Sequence, residues 1–199
     1  MIGEMGSAIR LLRPDFPWRD PSWIRGARSE ATAQAMDEGL MEARSGVSIR
    51  RYRDTDLDAV IAVFQRAVRE IAVRDYDAAQ IAAWSTVDRA RWRERRLSRP
   101  TWVAIRDGAV VGFSDLEPDG HLDMMFVHPG FQGAGIASRL LATVEAAARD
   151  GGLTDLFAEA SLTAWPFFER RGFQRVAEQQ VELRGAILAN VRMRKSLGP

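Results

Sequence analysis

"FVHPGFQGAGIASRLL", residues 126–141, ends an apolar run in a glycine-rich turn and then opens an amphipathic stretch. A strand that feeds such a turn into a helix presents unpaired backbone N–H groups and the positive end of a helix dipole, and the usual guest is an anion, most often phosphate. Gly133 and Gly135 permit close approach of the backbone, while Gln132 and Ser138 can add side-chain donors.

The bulk composition narrows the partners that such a loop could serve. The chain has 199 residues, 46% of them hydrophobic, which suits one domain of ordinary size with a filled core. Its 28 Lys and Arg face 27 acidic residues, and this balance argues against a nucleic acid or a membrane surface held by charge. A small or neutral partner is expected instead. Cysteine is absent, which removes disulfides, thiolate metal ligands and a covalent cysteine intermediate. With only two histidines and no cysteine, no metal site is expected. No window reaches the roughly 18 apolar residues of a membrane helix, and the start of the chain has no continuous apolar core of a signal peptide, so a cytoplasmic protein is expected.

The chain divides in two. Residues 1–47 mix Pro, Arg and Trp without a period ("RPDFPWRDPSWIRGARSE") and read as a poorly ordered appendage: a leader, or an over-extended start with Met41 as the initiator, or a partner-binding tail. Residues 48–199 form the domain. "VSIRRYR" alternates as a strand, and Thr55 with Asp58 makes a capping-box signature ahead of Leu57, Val60, Ile61, Phe64, Val68 and Ile71 at helical spacing. "DAAQIAAW" and "DRARWRERRL" read as a second helical region whose arginines lie on a solvated face. Two β-rich runs joined at Asp107-Gly108, and a third entered through "EPDG", give an antiparallel meander ending at Val127. A helix closed by Gly151 and Gly152 follows the loop, then the strand "LTDLFAEAS", a short helix begun by Pro166 and ended by Gly172, and a last strand pair divided at Arg184-Gly185. The predicted order is β, α, α, β, β, β, α, β, α, β, β.

Three phosphate-binding devices share the physics of the loop. The P-loop fails because no Gly-Lys-Ser/Thr follows the glycines. The dinucleotide fingerprint is a closer contest: Gly133 and Gly135 supply two glycines, Ser138 replaces the third, and Asp155 lies twenty residues beyond Gly135. Such a fingerprint, however, opens a series of parallel βα units, whereas this one follows an antiparallel meander. The third device is the pyrophosphate loop of the GNAT (GCN5-related) N-acetyltransferases, Gln/Arg-x-x-Gly-x-Gly/Ala, which Gln132-Gly133-Ala134-Gly135-Ile136-Ala137 resembles at every specified position. The approach "DMMFVHPGF", the segment "AWPFFERRGF" and the order of elements also resemble that superfamily. "YDAAQIAAW", "RWRERRL" and "VELRGA" look most like its bacterial YafP-type members. The likeness spans roughly residues 48–195.

The resemblance implies a GNAT acyltransferase fold, α/β with a mixed, mostly antiparallel sheet flanked by helices. It also implies acetyl-CoA as co-substrate, with direct attack by an acceptor amine in a ternary complex. Its pyrophosphate would lie on the amides of Gln132, Gly133, Ala134, Gly135, Ile136, Ala137 and Ser138, and its pantetheine arm against Met125, Phe126 and Val127. The N–H of Val127 is the expected contact for developing oxyanion charge. For the base, His121 and Asp123 alternate with Met125 and Val127 along the fourth strand, with Glu159 and Ser161 as second choices. His121 directly follows a turn, where an exposed histidine needs no special account, and Asp123 in an apolar run requires a partner.

Phe168 departs from the family pattern. Many GNAT enzymes carry there a tyrosine thought to protonate the CoA thiolate, a role phenylalanine cannot fill, although its ring can pack against the pantetheine. Arg171 is a candidate for a cofactor phosphate. The acceptor expected is a small-molecule amine, with Tyr76, Trp84 and the Arg184-Gly185 turn in segments that resemble the family's acceptor side, and a homodimer is compatible with the fold. A protein or peptide amine, a non-catalytic CoA-binding module and a nucleotide-dependent oxidoreductase are the alternatives.

Overall fold

The computed structural model describes residues 46–198. The reading of residues 1–47 as an appendage falls almost wholly outside them, and the first strand, β1 (Val47–Arg51), begins one residue before the domain boundary drawn from the sequence. Three helices follow, α1 (Leu57–Glu70), α2 (Ala78–Ser85) and α3 (Arg89–Ser98). The predicted second helical region is thus two helices, each opened by its own aspartate: Asp77 accepts from the amide of Gln80 and Asp88 from that of Arg91. The capping box expected at Thr55 and Asp58 does not form. The chain enters α1 through a single 3₁₀ turn, Asp54–Asp56, whose Asp56 carboxylate accepts from the amide of Arg53 and from the Arg50 guanidinium.

Strands β2 (Thr101–Arg106), β3 (Ala109–Asp115) and β4 (Met125–Val127) complete an antiparallel sheet in the order β1-β2-β3-β4. The β2–β3 hairpin turns on Asp107 and Gly108, both left-handed, which are the residue types a right-twisted two-residue turn requires. Helix α4 (Ile136–Asp150) leads to β5 (Asp155–Ser161), α5 (Trp165–Arg170), β6 (Gln174–Leu183) and β7 (Ala186–Ser196). The last three strands form a second antiparallel sheet in the order β5-β7-β6.

The two sheets touch at one parallel bridge, between His121 and Phe157. There the amide of Leu122 donates to Phe157 and that of Phe157 to Gly120, at 2.9 and 3.1 Å. Helix α4 lies under both sheets: Ile136, Leu140, Leu141 and Val144 pack with Val111 and Val127 of the first and with Leu156, Ala158, Val191 and Met193 of the second. Helices α1 to α3 cover the opposite face, where Val60, Phe64, Val68, Trp84 and Trp92 meet Val103, Phe113 and Leu188. Each fully buried side chain of this kind contributes about 1.5–3 kcal/mol, so the shared helix holds the sheets together even though few hydrogen bonds cross between them.

Candidate active site

The sheets are joined at His121 and part immediately beyond it. The amide of Leu122 points toward β5, yet that of Met124 points the other way and donates to Asp115 Oδ1 at 2.8 Å. Residues two apart in a regular strand direct their amides to the same side, so the chain kinks at Asp123. The expected third strand of the meander is therefore shortened to Met125–Val127.

Register decides what β4 offers to the resulting gap. The amide of His128 donates to Val111 on β3, and Phe126 pairs with Phe113 in phase with it. Met125 and Val127 then turn their N–H and C=O groups away from β3, toward β5. Across the gap lie Glu159, Ala160 and Ser161. A cavity of about 270 Å³ fills this space and runs past Gln132 and Ala137 to Phe167 and Phe168 at one end, and past Phe64, Trp84 and Trp92 at the other.

At the first end is the glycine loop. Gly133 and Gly135 have φ of 75° and 77°, and a Cβ built on either would meet no atom within 4 Å. The glycines thus serve the left-handed turn and leave the space in front of it open, which is the cradle an anion needs. Gly135 is the N-cap of α4, whose first internal bond runs from Arg139 N to Gly135 O at 3.2 Å, so the amides of Ile136, Ala137 and Ser138 precede the helical ladder. Ile136 contributes only its backbone, because its side chain is in the core. Arg171, exposed at the end of α5, donates to Ser138 Oγ and so brings a cation to this helix terminus.

At the other end the structure brings together a group of charges that sequence reasoning missed. Arg96, at 2% exposure, meets Asp115 at 3.0 Å and Asp123 at 3.6 Å. Arg99 contacts Glu117 at 2.7 Å and Asp123 at 2.9 Å. The solvated arginine face expected of α3 holds for Arg89 and Arg93, which pair with Asp58 and Asp54 at the surface, but not for Arg96, which shares the inward side of the helix with Trp92. That i, i+4 spacing with a buried tryptophan was the available signal. Burial pushes the Asp115 carboxyl up, and the Arg96 guanidinium counters it.

His121 is buried rather than exposed, stacked 5.4 Å from Phe157. Its Nδ1 is 3.1 Å from Glu117 Oε2 and its Nε2 2.5 Å from Glu159 Oε2. Burial alone would lower its pKa, but the hydrogen bonds to Glu117 and Glu159 raise it to about 10. Both ring nitrogens of His121, considered from the sequence as a base, are thus engaged by carboxylates. Asp123 lines the cavity with its charge matched by Arg99 and Arg96. Glu159 lines it too, as do Trp84 and Arg184, whereas the Tyr76 hydroxyl is spent on Ala189 O and Leu162 N. His128 accepts from Gly130 and shapes the turn, as a turn residue would. Among the described residues no group of His, Asp and Glu could hold a metal ion.

An Acetyltransferase (GNAT) domain model matches residues 72–197. The chain belongs to the GNAT acetyltransferase family. Relatives of this GNAT acetyltransferase include the uncharacterised N-acetyltransferase YafP of Escherichia coli K12, 39% identical over 150 residues, which are 75% of this chain and 96% of YafP. A GCN5-related N-acetyltransferase from Rhodopseudomonas palustris is 32% identical with a TM-score of 0.74, the match covering 76% of this chain and 96% of that one. The yncA protein of Salmonella typhimurium, solved with its cofactor acetyl-CoA, shares the fold at a TM-score of 0.60 and 23% identity over 78% of this chain and 96% of its own. This GNAT protein is thus an acetyl-CoA-dependent N-acetyltransferase, and the dinucleotide alternative for its glycine loop falls. Its own residues fit the co-substrate: an open left-handed loop at a helix N-terminus for phosphates, and outward backbone groups on β4 beside an elongated cavity. Among the described residues no helix of the GNAT domain is long and apolar enough to cross a membrane.

Proposed function

We propose that this acetyltransferase moves an acetyl group from acetyl-CoA to the primary amine of a small molecule, by direct attack in a ternary complex. The observation that carries the proposal is one cavity with the outward amide of Val127 on one wall and the Glu159 carboxylate on the other. Acetyl-CoA supplies an activated thioester. The amides of Gly133, Gly135, Ile136, Ala137 and Ser138, aided by Arg171, hold its pyrophosphate, whereas those of Gln132 and Ala134 donate to Pro129 and Phe131 within the turn, and Met125 and Val127 present backbone groups to its pantetheine arm. The Val127 N–H donates to the thioester carbonyl as negative charge develops there.

Glu159 meets the ammonium of the acceptor and takes its proton, which passes on to solvent. Asp123 is the weaker candidate because its charge is committed to two arginines. Phe168 lines the cavity and is otherwise packed against Phe167 and Phe173, so it contributes a wall and no proton. The departing thiolate is protonated from water, a tolerable path for a thiol whose ordinary pKa is about 8.5. The aromatic-lined acceptor end, with about 270 Å³ in the whole cavity, suits a small amine better than a folded polypeptide surface.

Calorimetric titration with acetyl-CoA, CoA, NAD and ATP, followed by a thiol-release assay over small primary amines and lysine-containing peptides, tests the reading. Binding of acetyl-CoA and CoA with silence from NAD and ATP, and thiol release dependent on a small amine, is expected. Turnover with peptides alone would overturn the small-molecule assignment.

A further inference from the structure

The role of Glu159 proposed above leaves open what fixes its carboxylate, since the side chain is only 7% exposed. An isolated carboxylate in such a place is held only if something pays for its lost hydration. His121 is in contact with it, and the groups around His121 on every side are acidic or apolar. Glu117, after β3, lies at Nδ1; Glu159, on β5, lies at Nε2; Asp119 accepts from the backbone amide of His121; Phe157 covers the ring face; and Asp123 adds a further negative charge nearby. Ionised carboxylates only accept hydrogen bonds, so a ring between two of them must donate from both nitrogens. The outer end of the chain is anchored in turn, because Glu117 is held by Arg99.

We propose that His121 is a positioning residue whose imidazolium binds one oxygen of Glu159 and leaves the other for the ammonium group of the acceptor, so that this enzyme recruits its acceptor as a cation. The ring sets the orientation of Glu159, and the stack on Phe157 fixes the ring. The chemical class that follows is a primary alkylammonium, in preference to an amine that is neutral near pH 7. This inference rests on the reading of Glu159 as the residue that meets the acceptor, and the two can fail separately.

Two measurements on the full chain test it. Imidazole ¹⁵N NMR, with His128→Gln used to assign the two rings, is expected to report a doubly protonated His121 through pH 9 and a lower titration point in Glu159→Gln. A neutral His121 at pH 7 would overturn the proposal. Calorimetry of CoA-loaded protein with benzylammonium and with aniline, run beside a CoA titration that reports intact folding, is the second. Benzylammonium is expected to bind in preference to aniline, at least about tenfold more weakly in His121→Gln, the scale of one lost charge-assisted contact, and near wild-type in His121→Lys. Unchanged binding in His121→Gln with binding lost in Glu159→Gln would remove the positioning role and keep Glu159. Binding untouched by Glu159→Gln, or no binding of benzylammonium to the wild type, would remove Glu159 as the dock and this inference with it.

Discussion

Asp115 accepts the backbone amide of Met124 at 2.8 Å, a bond that in a regular antiparallel pair would go to a main-chain carbonyl. A side chain thus holds the kink at Asp123, and the kink opens the gap between β4 and β5 in which the cavity lies. Asp115 also neutralises the buried Arg96. Replacing it removes both supports at once: Asp115→Ala is expected to cost about 3–5 kcal/mol in urea unfolding, the scale of a broken buried pair, and to weaken acetyl-CoA binding in the fraction that folds. The surface pair Arg93–Asp54, 2.6 Å apart with both side chains exposed, provides the contrast, and Arg93→Ala should leave the urea midpoint close to that of the wild type.

The glycines near α4 separate function from packing. A glutamate at Gly135 would meet no atom within 4 Å of its Cβ, and its backbone strain at φ 77° is of the order of 1–2 kcal/mol, so Gly135→Glu is expected to fold and to lose acetyl-CoA binding below calorimetric detection. Unchanged affinity would refute the loop assignment. A Cβ at Gly112 would lie 3.0 Å from Phe126 O, 3.1 Å from Ile136 Cγ2 and 3.2 Å from Leu140 Cδ1, so Gly112→Ala should instead lower stability by about 1–3 kcal/mol through overpacking between sheet and helix.

His121 makes stability depend on pH with a definite sign. Its pKa in the folded chain is about 10 against 6.5 for the free side chain, so the folded state binds the proton more tightly. The resulting stabilisation is complete below pH 6.5, declines between 6.5 and 10, and is lost above 10. Urea midpoints measured from pH 6 to 10 should fall with rising pH in the wild type, and His121→Gln should flatten that slope.

Glu159→Gln keeps the shape of the cavity wall while removing its charge. The thiol-release rate should fall by about 10²–10⁴-fold, the usual range for a lost acid–base group, with acetyl-CoA affinity unchanged because the loop and β4 are untouched. A rate within threefold of wild type would return the proton-acceptor role to Asp123 or to solvent.

Most of the fold was legible in the chain itself. Alternation in "VSIRRYR", the Asp107-Gly108 and Arg184-Gly185 turns and the glycines ahead of Ile136 are local signals, set by backbone preference and by a period of burial that does not depend on distant residues. For the same reason the phosphate cradle was legible, since it consists of the backbone of one continuous segment. The α3 arginines misled, because Arg96 and Arg93 are chemically alike and only the neighbours that α3 meets in space decide which one is buried.

What tertiary structure alone decided is the pairing of charges across elements. Glu117 and His121 come from the segment between β3 and β4 and Glu159 from within β5, and Asp115, Arg96, Arg99 and Asp123 from a strand, a helix end and a kink. The protonation state of His121 depends on which carboxylates surround it once water is excluded, and the kink at Asp123 depends on a side chain that reaches it from β3. Sequence spacing carries the period of a helix or a strand, but burial and cross-strand contact set the electrostatics. The glycine loop was therefore readable from the residues, and the surroundings of His121 and Glu159 were not.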